Sequence, residues 1–310
     1  MSPQLEELAG LARKNLPDLL PTLGYCVLWL LVRWVFYKSL RAYFKTLPAT
    51  SVLKNVGMQE KVLEESFAII GAVVATVLGF MAFQQSDRGT CGLLNTRGCF
   101  RDWPNGTDGD VGGRKDPTGA IALYHNVELG WYLHYLIKHH LGMGMVDNLQ
   151  MHLHHFSTIT LLLISYLLNL HRAGVLVLAL LNISNPFLHV AKVVHYLEAK
   201  GDTVAFLAFA VAFFLSRIVA YPLVVLRATV LESWQVHPPF LDPARHLPVY
   251  LAANGLLLLL MVMQVQWMAG IVRLLLKAVG GSKDDFKKEG ASVDYAKTKA
   301  GGVDAHAKGE

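Results

Sequence analysis

Seven stretches of mostly apolar residues constrain this chain more than any other feature of its sequence. A helix needs roughly 20 such residues to cross a bilayer, and the stretches lie at about 18–37, 66–84, 120–138, 147–169, 174–197, 203–228 and 249–277. The composition agrees, because 53% of the residues are hydrophobic and only 16% are charged. Backbone groups inside a bilayer must be hydrogen-bonded within the protein. The sequence therefore predicts an all-α polytopic membrane protein with about seven transmembrane helices.

The charges of the connecting loops predict the orientation of these helices. If the N-terminus lies outside the cytosol, the loops at 38–65, 138–146 and 198–202 and the tail from Arg273 face the cytosol. Together they contain more Lys and Arg than the loops on the other side, as the positive-inside rule requires. The loop at 85–119 would then be lumenal.

Two further features of the 85–119 loop agree with a lumenal position. Cys91 and Cys99 can close a disulfide, a bond that persists in an oxidising compartment. The tripeptide Asn-Gly-Thr that begins at Asn105 is an acceptor for N-glycosylation. We therefore expect a disulfide between Cys91 and Cys99 and a glycan on Asn105.

Composition also divides the chain into three parts. Residues 1–59 form an N-terminal segment with the first transmembrane helix, 60–279 form the main membrane domain, and 280–310 form a tail rich in Lys, Gly and Asp. Such a tail is typical of disorder, and the predicted orientation places it in the cytosol. The formal net charge of +5 suits an anionic membrane surface, so membrane lipids are expected partners. The cations form no nucleic-acid-binding motif, and no nucleic acid partner is expected.

Polar residues recur at helical spacing on four consecutive predicted helices. Steps of three or four place residues on one face of a helix, and ionisable groups within spans usually face the bundle interior or a water-filled cavity. These faces predict a shared polar cavity, although such faces can also simply hold helices together by hydrogen bonds. The residues selected from them are Glu128 and Tyr132 on the third helix, His154 and His155 on the fourth, Asn182, Asn185, His189 and Lys192 on the fifth, and Arg217 on the sixth.

The adjacent histidines His154 and His155 are compatible with two kinds of chemistry. Membrane di-iron enzymes hold their metal with several histidine boxes, and this chain has no second box of suitable spacing, so no metal and no resident cofactor are expected. An imidazole can instead act as a general base on an amine or carry an acyl group transiently. Its ordinary protonation range near neutral pH suits both roles. A thioester donor would reach this pair from the cytosol.

Four segments in this order resemble the TLC domain family, and in particular its ceramide synthase branch. They are ELGWYLHYL at 128–136, the pair His154 and His155, NLHRAGVLVLAL at 169–180, and SRIVAYPLVVLR at 216–227. The similarity extends from about residue 60 to residue 277. It implies that 60–279 is a TLC domain, in which six helices surround a central cavity and one additional helix precedes them.

The resemblance also implies an activity. A ceramide synthase-like enzyme of the endoplasmic reticulum membrane would transfer a fatty acyl group from acyl-CoA, its substrate, to the amine of a sphingoid base. His154 and His155 would be the catalytic pair, and Glu128 would orient one imidazole or accept a proton. A homodimer is an open alternative to a monomer. The residues expected to bind substrate are Tyr132, Asn182, Asn185, His189, Lys192 and Arg217, with Lys192 meeting an acyl-CoA phosphate.

One segment departs from the ceramide synthase pattern. Those enzymes carry HDxSD in the fifth helix, whereas this chain has LNISN, so that Leu181, Asn182 and Asn185 replace a histidine and two aspartates. Asparagine can form hydrogen bonds but cannot accept a proton as a base. If the aspartates assist catalysis, replacing Asn182 and Asn185 by Asp should raise ceramide synthesis. The alternative function is that of a non-catalytic TLC protein that binds lipids or regulates membrane lipid composition.

Overall fold

The structure is a computed structural model that describes residues 3–88, 91–101, 103–104, 119–243 and 245–279. These residues form α-helices, short 3₁₀ turns and one π-helical segment, and they contain no β-strand. The helices are α1 (Pro3–Asn15), α2 (Leu20–Thr46), α3 (Val56–Arg88), α4 (Gly119–Lys138), α5 (Leu149–Leu167), α6 (His171–Asn182), α7 (Asn185–Tyr196), α8 (Asp202–Phe213), the π-helical segment Phe214–Glu232, α9 (Ser233–Val236) and α10 (Leu247–Val279).

Five helical stretches in the described part of the chain are long and apolar enough to cross a membrane. The all-α membrane architecture predicted from the sequence is therefore confirmed. Helices α4 and α5 contain 20 and 19 residues and are long enough to span, but their polar side chains lower their hydropathy. The count of seven spans stays a prediction. The five stretches are Glu6–Thr46, Val56–Ser86, His171–Tyr196, Asp202–Val236 and Leu247–Lys277.

Six helical units surround a central space. Around this ring, α4 packs against α3, and α3 packs against both α6 and α7. The next neighbours are α8 and its π-helical continuation, followed by α10, and α5 closes the ring between α10 and α4. Helix α2 lies outside the ring, against α3 and α4.

Helix α2 has the sequence pattern of an outer helix. Its buried residues Thr22, Cys26, Trp29, Arg33 and Tyr37 follow one another at steps of three or four. They therefore occupy one face, which packs against the ring. The opposite face is exposed and apolar, as expected for a surface that contacts lipid.

The predicted loop at 38–65 is much shorter in the structure. Helix α2 continues to Thr46, and α3 begins at Val56, so that Glu64 and Glu65 lie within α3. Both carboxylates are buried, with 2% and 1% of their surfaces exposed. Burial is tolerated because each one contacts basic side chains. Hydropathy alone assigned them to a loop.

The predicted span at 174–197 corresponds to the helical stretch His171–Tyr196, which is interrupted between Asn182 and Asn185. Helix α6 ends at Asn182, and α7 begins at Asn185 with Pro186 in its first turn. Proline has no backbone N–H to donate, so carbonyl groups before the break need other donors. Arg217 supplies one, because its Nη2 donates to the backbone oxygen of Leu181 at 2.8 Å.

A short loop covers one end of the bundle, which we call the disulfide end. Cys91 and Cys99 are joined there by a disulfide. Trp103 follows this loop and stacks on Phe240, with 4.5 Å between the ring centroids. Helix α1 lies near the same end, where Asn15 donates to the side chain of Asn169 at 2.8 Å.

Two sequence predictions fall on parts of the chain that the structure does not describe. The glycosylation acceptor Asn105 lies outside the described residues, as does the tail at 280–310. The glycan and the disordered tail therefore stay predictions.

At the end of the bundle opposite the disulfide end, the segment 139–148 leads into α5, and we call this the histidine end.

Candidate active site

The histidine pair lies in the second turn of α5. Asn148 caps this helix, since its side-chain oxygen accepts a hydrogen bond from the backbone N–H of Met151 at 2.9 Å. The cap fixes where the helix begins and therefore which way the next turn points. His154 and His155 consequently face the ring interior, and both line its central cavity.

His155 is held between an acidic residue and two aromatic rings. Its imidazole is buried, and Nε2 lies 3.5 Å from Oδ2 of Asp147, within ion-pair range. The rings of Tyr135 and Tyr132 lie with their centroids 5.2 and 5.7 Å from that of His155. Asp147 immediately precedes the helix cap, so the same local structure places both partners.

His154 contacts different helices. Its ring packs edge-on against the indole of Trp267 on α10, with 5.5 Å between centroids. It also lies 6.3 Å from the Tyr132 ring and 5.5 Å from that of His155. The two imidazoles therefore share one aromatic environment but have different polar neighbours.

The ring nitrogens of this pair are largely without hydrogen-bond partners. Among the described residues, neither nitrogen of His155 makes a hydrogen bond, and neither does Nδ1 of His154. Nearly all buried polar atoms in proteins are hydrogen-bonded, and exceptions often mark functional sites. Two imidazoles that line a cavity with unused nitrogens can exchange a proton with a ligand, or bind one.

The cavity has a volume of about 440 Å³ and extends from the histidine end towards the disulfide end. Polar groups line the part near the histidines, whereas the remaining wall is mostly apolar. Such a space suits a molecule with a polar head and a long hydrocarbon chain. The polar lining includes His154, His155, Asn182, Asn185, His189, Lys192 and Arg217, and the apolar lining includes Leu178, Leu181, Phe213, Leu257, Phe240 and Tyr250.

A chain of four side chains crosses the ring from α4 to the π-helical segment. Nδ2 of Asn182 donates to Oε1 of Glu128 at 3.0 Å, and Asn185 donates to Asn182 at 3.0 Å. Arg217 completes the chain by donating from Nη2 to Oδ1 of Asn185 at 2.6 Å. Glu128 is buried behind Asn182 and is not part of the cavity wall. The two asparagines thus connect the carboxyl group of Glu128 to the guanidinium of Arg217 without adding a charge of their own.

His189 and Lys192 meet a carboxylate that sequence reasoning did not select. Oε2 of Glu65 lies 2.6 Å from Nδ1 of His189, and its Oε1 lies 3.0 Å from Nζ of Lys192. All three residues line the cavity. The sequence feature that could have identified Glu65 is the acidic pair Glu64–Glu65, which lies directly before an apolar stretch.

A second buried ionic cluster supports the histidine end. Glu64 accepts from Arg33 at 2.9 Å and from Lys138 at 2.6 Å, and the backbone N–H of Met145 also donates to it. Lys138 lies 3.5 Å from Asp147, the partner of His155. These contacts tie α2, α3, α4 and the segment before α5 together, and they hold the Asp147 carboxylate in place.

The structure brings most of the predicted site residues into one region. His154, His155, Tyr132, Asn182, Asn185, His189, Lys192 and Arg217 all line the cavity, and Glu128 reaches it through Asn182. Within the part of the chain that is described, no group of three or more His, Cys, Asp or Glu side chains is arranged to hold a metal ion.

Comparison with known proteins shows which sequences this chain is similar to. Residues 61–273 match the TLC domain. The chain is 32% identical over 195 residues to ceramide synthase 5 of Mus musculus, which covers 62% of this chain and 43% of that protein. It is 34% identical over 173 residues to ceramide synthase 5 of Homo sapiens, covering 54% and 42% of the two chains. It is 32% identical over 210 residues to ceramide synthase LOH2 of Arabidopsis thaliana, a match that covers 63% of this chain and 64% of that protein.

The matched region covers less than two thirds of the length of each of these curated relatives. The TLC domain match, in contrast, covers well over half of this chain and contains every residue of the histidine pair and of the polar chain from Glu128 to Arg217. The chain therefore belongs to the TLC domain family.

Proposed function

We propose that this chain is a ceramide synthase-like N-acyltransferase of the endoplasmic reticulum membrane. Its reaction joins the acyl group of acyl-CoA to the amine of a sphingoid base. The observation that carries the proposal is the pair of imidazoles, His155 buried and His154 half-buried, whose ring nitrogens are largely unused and which line a cavity that is apolar beyond them. The similarity to proteins named ceramide synthases supports the same reaction.

The proton transfer falls to His155. Asp147, 3.5 Å from Nε2, stabilises the positive charge that His155 acquires when Nδ1 accepts a proton. The neutral amine nitrogen attacks the thioester carbonyl carbon, the C=O electron pair moves to oxygen, and Nδ1 of His155 takes one of the two protons of that nitrogen. When the carbonyl re-forms, the C–S bond breaks, and the coenzyme A thiolate takes the proton from His155. The products are an amide and free coenzyme A, so that atoms and charge balance.

The remaining cavity residues position the two substrates. His154 lies beside His155 and contacts the attacking amine. Lys192, which lies nearer the C-terminal end of α7, meets a phosphate of the acyl-CoA, and its pairing with Glu65 fixes the direction of its side chain. The hydrocarbon chain extends along the apolar wall towards the disulfide end.

A direct assay tests the proposal. Microsomes that contain the wild-type protein should form ceramide from labelled acyl-CoA and sphinganine. His154→Ala and His155→Ala should each lower this rate by about 100-fold or more, the first because a contact to the attacking amine is lost and the second because the base is lost. His152→Ala is the matched control, because His152 lies on the same helix but does not line the cavity. Full activity in both alanine variants at the pair would contradict the assigned roles.

The second candidate function is lipid binding without catalysis. It is favoured by Asn182 and Asn185, whose amides supply hydrogen bonds but no base. In that case the wild-type protein would form no ceramide with any long-chain base, while the cavity would still bind a lipid. The same assay therefore separates the two functions.

A further inference from the structure

Arg217 is a buried cation inside a segment long and apolar enough to span the membrane. Its side chain is 7% exposed and lines the cavity. Arginine within a span is costly, and it usually pairs with an acid or serves a function. The guanidinium here donates from Nε to the hydroxyl of Ser184 at 2.9 Å, and from Nη2 to the backbone oxygen of Leu181 and the amide oxygen of Asn185. All three acceptors are neutral.

The positive charge of Arg217 has no acidic partner among the residues that the structure describes. Its Nη1 takes part in none of these bonds, and the guanidinium carbon lies 5.1 Å from the centroid of the Phe213 ring. Arg33 provides the comparison within the same bundle. It is also buried, with none of its surface exposed, but it forms an ion pair with Glu64 at 2.9 Å.

Asn185 is the residue that leaves this charge available. Its amide oxygen accepts from Nη2 at 2.6 Å, the position that a carboxylate oxygen of an aspartate would occupy. An aspartate there would neutralise the guanidinium by direct contact. The asparagine keeps the same hydrogen bond but adds no negative charge, so the guanidinium can still accept an anionic ligand.

Arg217 lines the same cavity as the histidine pair. Trp267 packs against the His154 ring at 5.5 Å and belongs to the same apolar cluster as Phe213, which in turn contacts Arg217. The cavity wall beside Arg217 is formed by Leu181, Phe213 and Leu257, which suit a hydrocarbon chain. An anionic group with an alkyl chain attached fits these surroundings.

We propose that Arg217 binds a negatively charged acyl oxygen. Two sources share this chemistry, namely the carboxylate of a free long-chain fatty acid and the oxyanion formed when an amine attacks the acyl carbonyl. Only the second rests on the proposed acyl transfer. In both cases, Nη1 donates to the oxygen, while Asn185 and Ser184 hold the guanidinium in position.

Binding of hexadecanoate and of hexadecanol tests this site. These probes share a chain length and differ in charge, and they are added to the full-length protein in lipid nanodiscs at a pH at which the acid is ionised. The wild type should bind the acid about tenfold or more tightly than the alcohol, as expected for hydrogen bonds to a charged group. Asn185→Asp should reduce this preference to within about twofold, because the added carboxylate neutralises Arg217.

Arg217→Gln should also abolish the preference, but it removes bonds to the break between α6 and α7 and its folding must be checked. Asn185→Asp changes one amide to a carboxylate and therefore keeps the proposal testable if Arg217→Gln does not fold. Arg227→Gln is the control, since Arg227 lies outside the cavity and pairs with Glu232. It should keep the wild-type preference.

Equal binding of acid and alcohol by the wild type, or an undiminished preference in Asn185→Asp, would overturn the proposal. Acyl transfer distinguishes the two sources. A fall in kcat in Asn185→Asp together with the lost preference assigns the site to the oxyanion, whereas a kcat that is unchanged or higher assigns it to the free acid. A wild type without acyl transfer would reject the proposed function, and the binding measurement would still decide the role of Arg217.

Discussion

Gly71 on α3 provides a sharp test of the packing behind the histidine pair. A Cβ atom added at this position would lie 2.1, 2.4 and 2.6 Å from three atoms of the Trp131 ring. Ordinary contacts require more than 3 Å, so the ring would have to move by about 1 Å or more. Such a movement is resisted because the rings of Trp29 and His134 pack against the Trp131 ring, with centroid distances of 4.7 and 4.5 Å.

The magnitude follows from two opposing effects. Overpacking of this kind costs about 1–3 kcal/mol, whereas replacing glycine by alanine within a helix gains about 1 kcal/mol. Gly71→Ala should therefore lower the free energy of unfolding by up to about 2 kcal/mol. Gly255→Ala on α10 is the matched control, since an added Cβ there has no neighbour within 4 Å. It should be neutral or raise stability by up to about 1 kcal/mol.

The assay is thermal unfolding of both variants in the same nanodiscs, followed by the rate of ceramide formation. The Tm of Gly71→Ala should lie several degrees below that of Gly255→Ala, at about 2–4 °C per kcal/mol. Activity should fall as well, because a shift of Trp131 would be passed on to His155 through Tyr135. The Tyr135 ring lies with its centroid 5.1 Å from that of Trp131 and 5.2 Å from that of His155. A Tm for Gly71→Ala above that of the wild type would refute the reasoning.

Three further changes test other parts of the structure. Asn182→Asp should lower ceramide formation about tenfold or more, because a second carboxylate would replace the amide that donates to Glu128 at 3.0 Å; a higher rate would favour the sequence-based expectation instead. Lys192→Met should raise the KM for acyl-CoA about fivefold with little change in kcat, as expected for a partly screened charge contact, and the effect should shrink at high salt. Burial, together with His246 and Arg245, lowers the pKa of His237 at the disulfide end to about 4. The unfolded chain therefore takes up a proton first as pH falls below about 6.5, so stability should decline from there towards pH 4 in thermal unfolding, and less steeply in His237→Gln.

Much of the site could be predicted from the sequence because membrane helices have few polar residues, and those few recur at helical spacing. The face containing His154 and His155 and the face containing Asn182, Asn185, His189 and Lys192 were found in this way, and the structure places both on one cavity. The spacing fixes which residues share a face. It does not fix which faces meet, or what each side chain contacts.

The contacts that shape the chemistry were decided by the tertiary structure alone. Hydropathy placed Glu65 in a loop, but α3 begins earlier and buries it against His189 and Lys192, since ion pairing offsets the cost of removing the charge from water. The break after Asn182 interrupts the helical stretch of the predicted span, and the residues around it give Arg217 three neutral acceptors instead of an acid. The sequence determined the all-α membrane architecture and its polar faces, because the bilayer imposes local rules on every segment. The pairing of charges depends on distances between helices, which only the folded bundle sets.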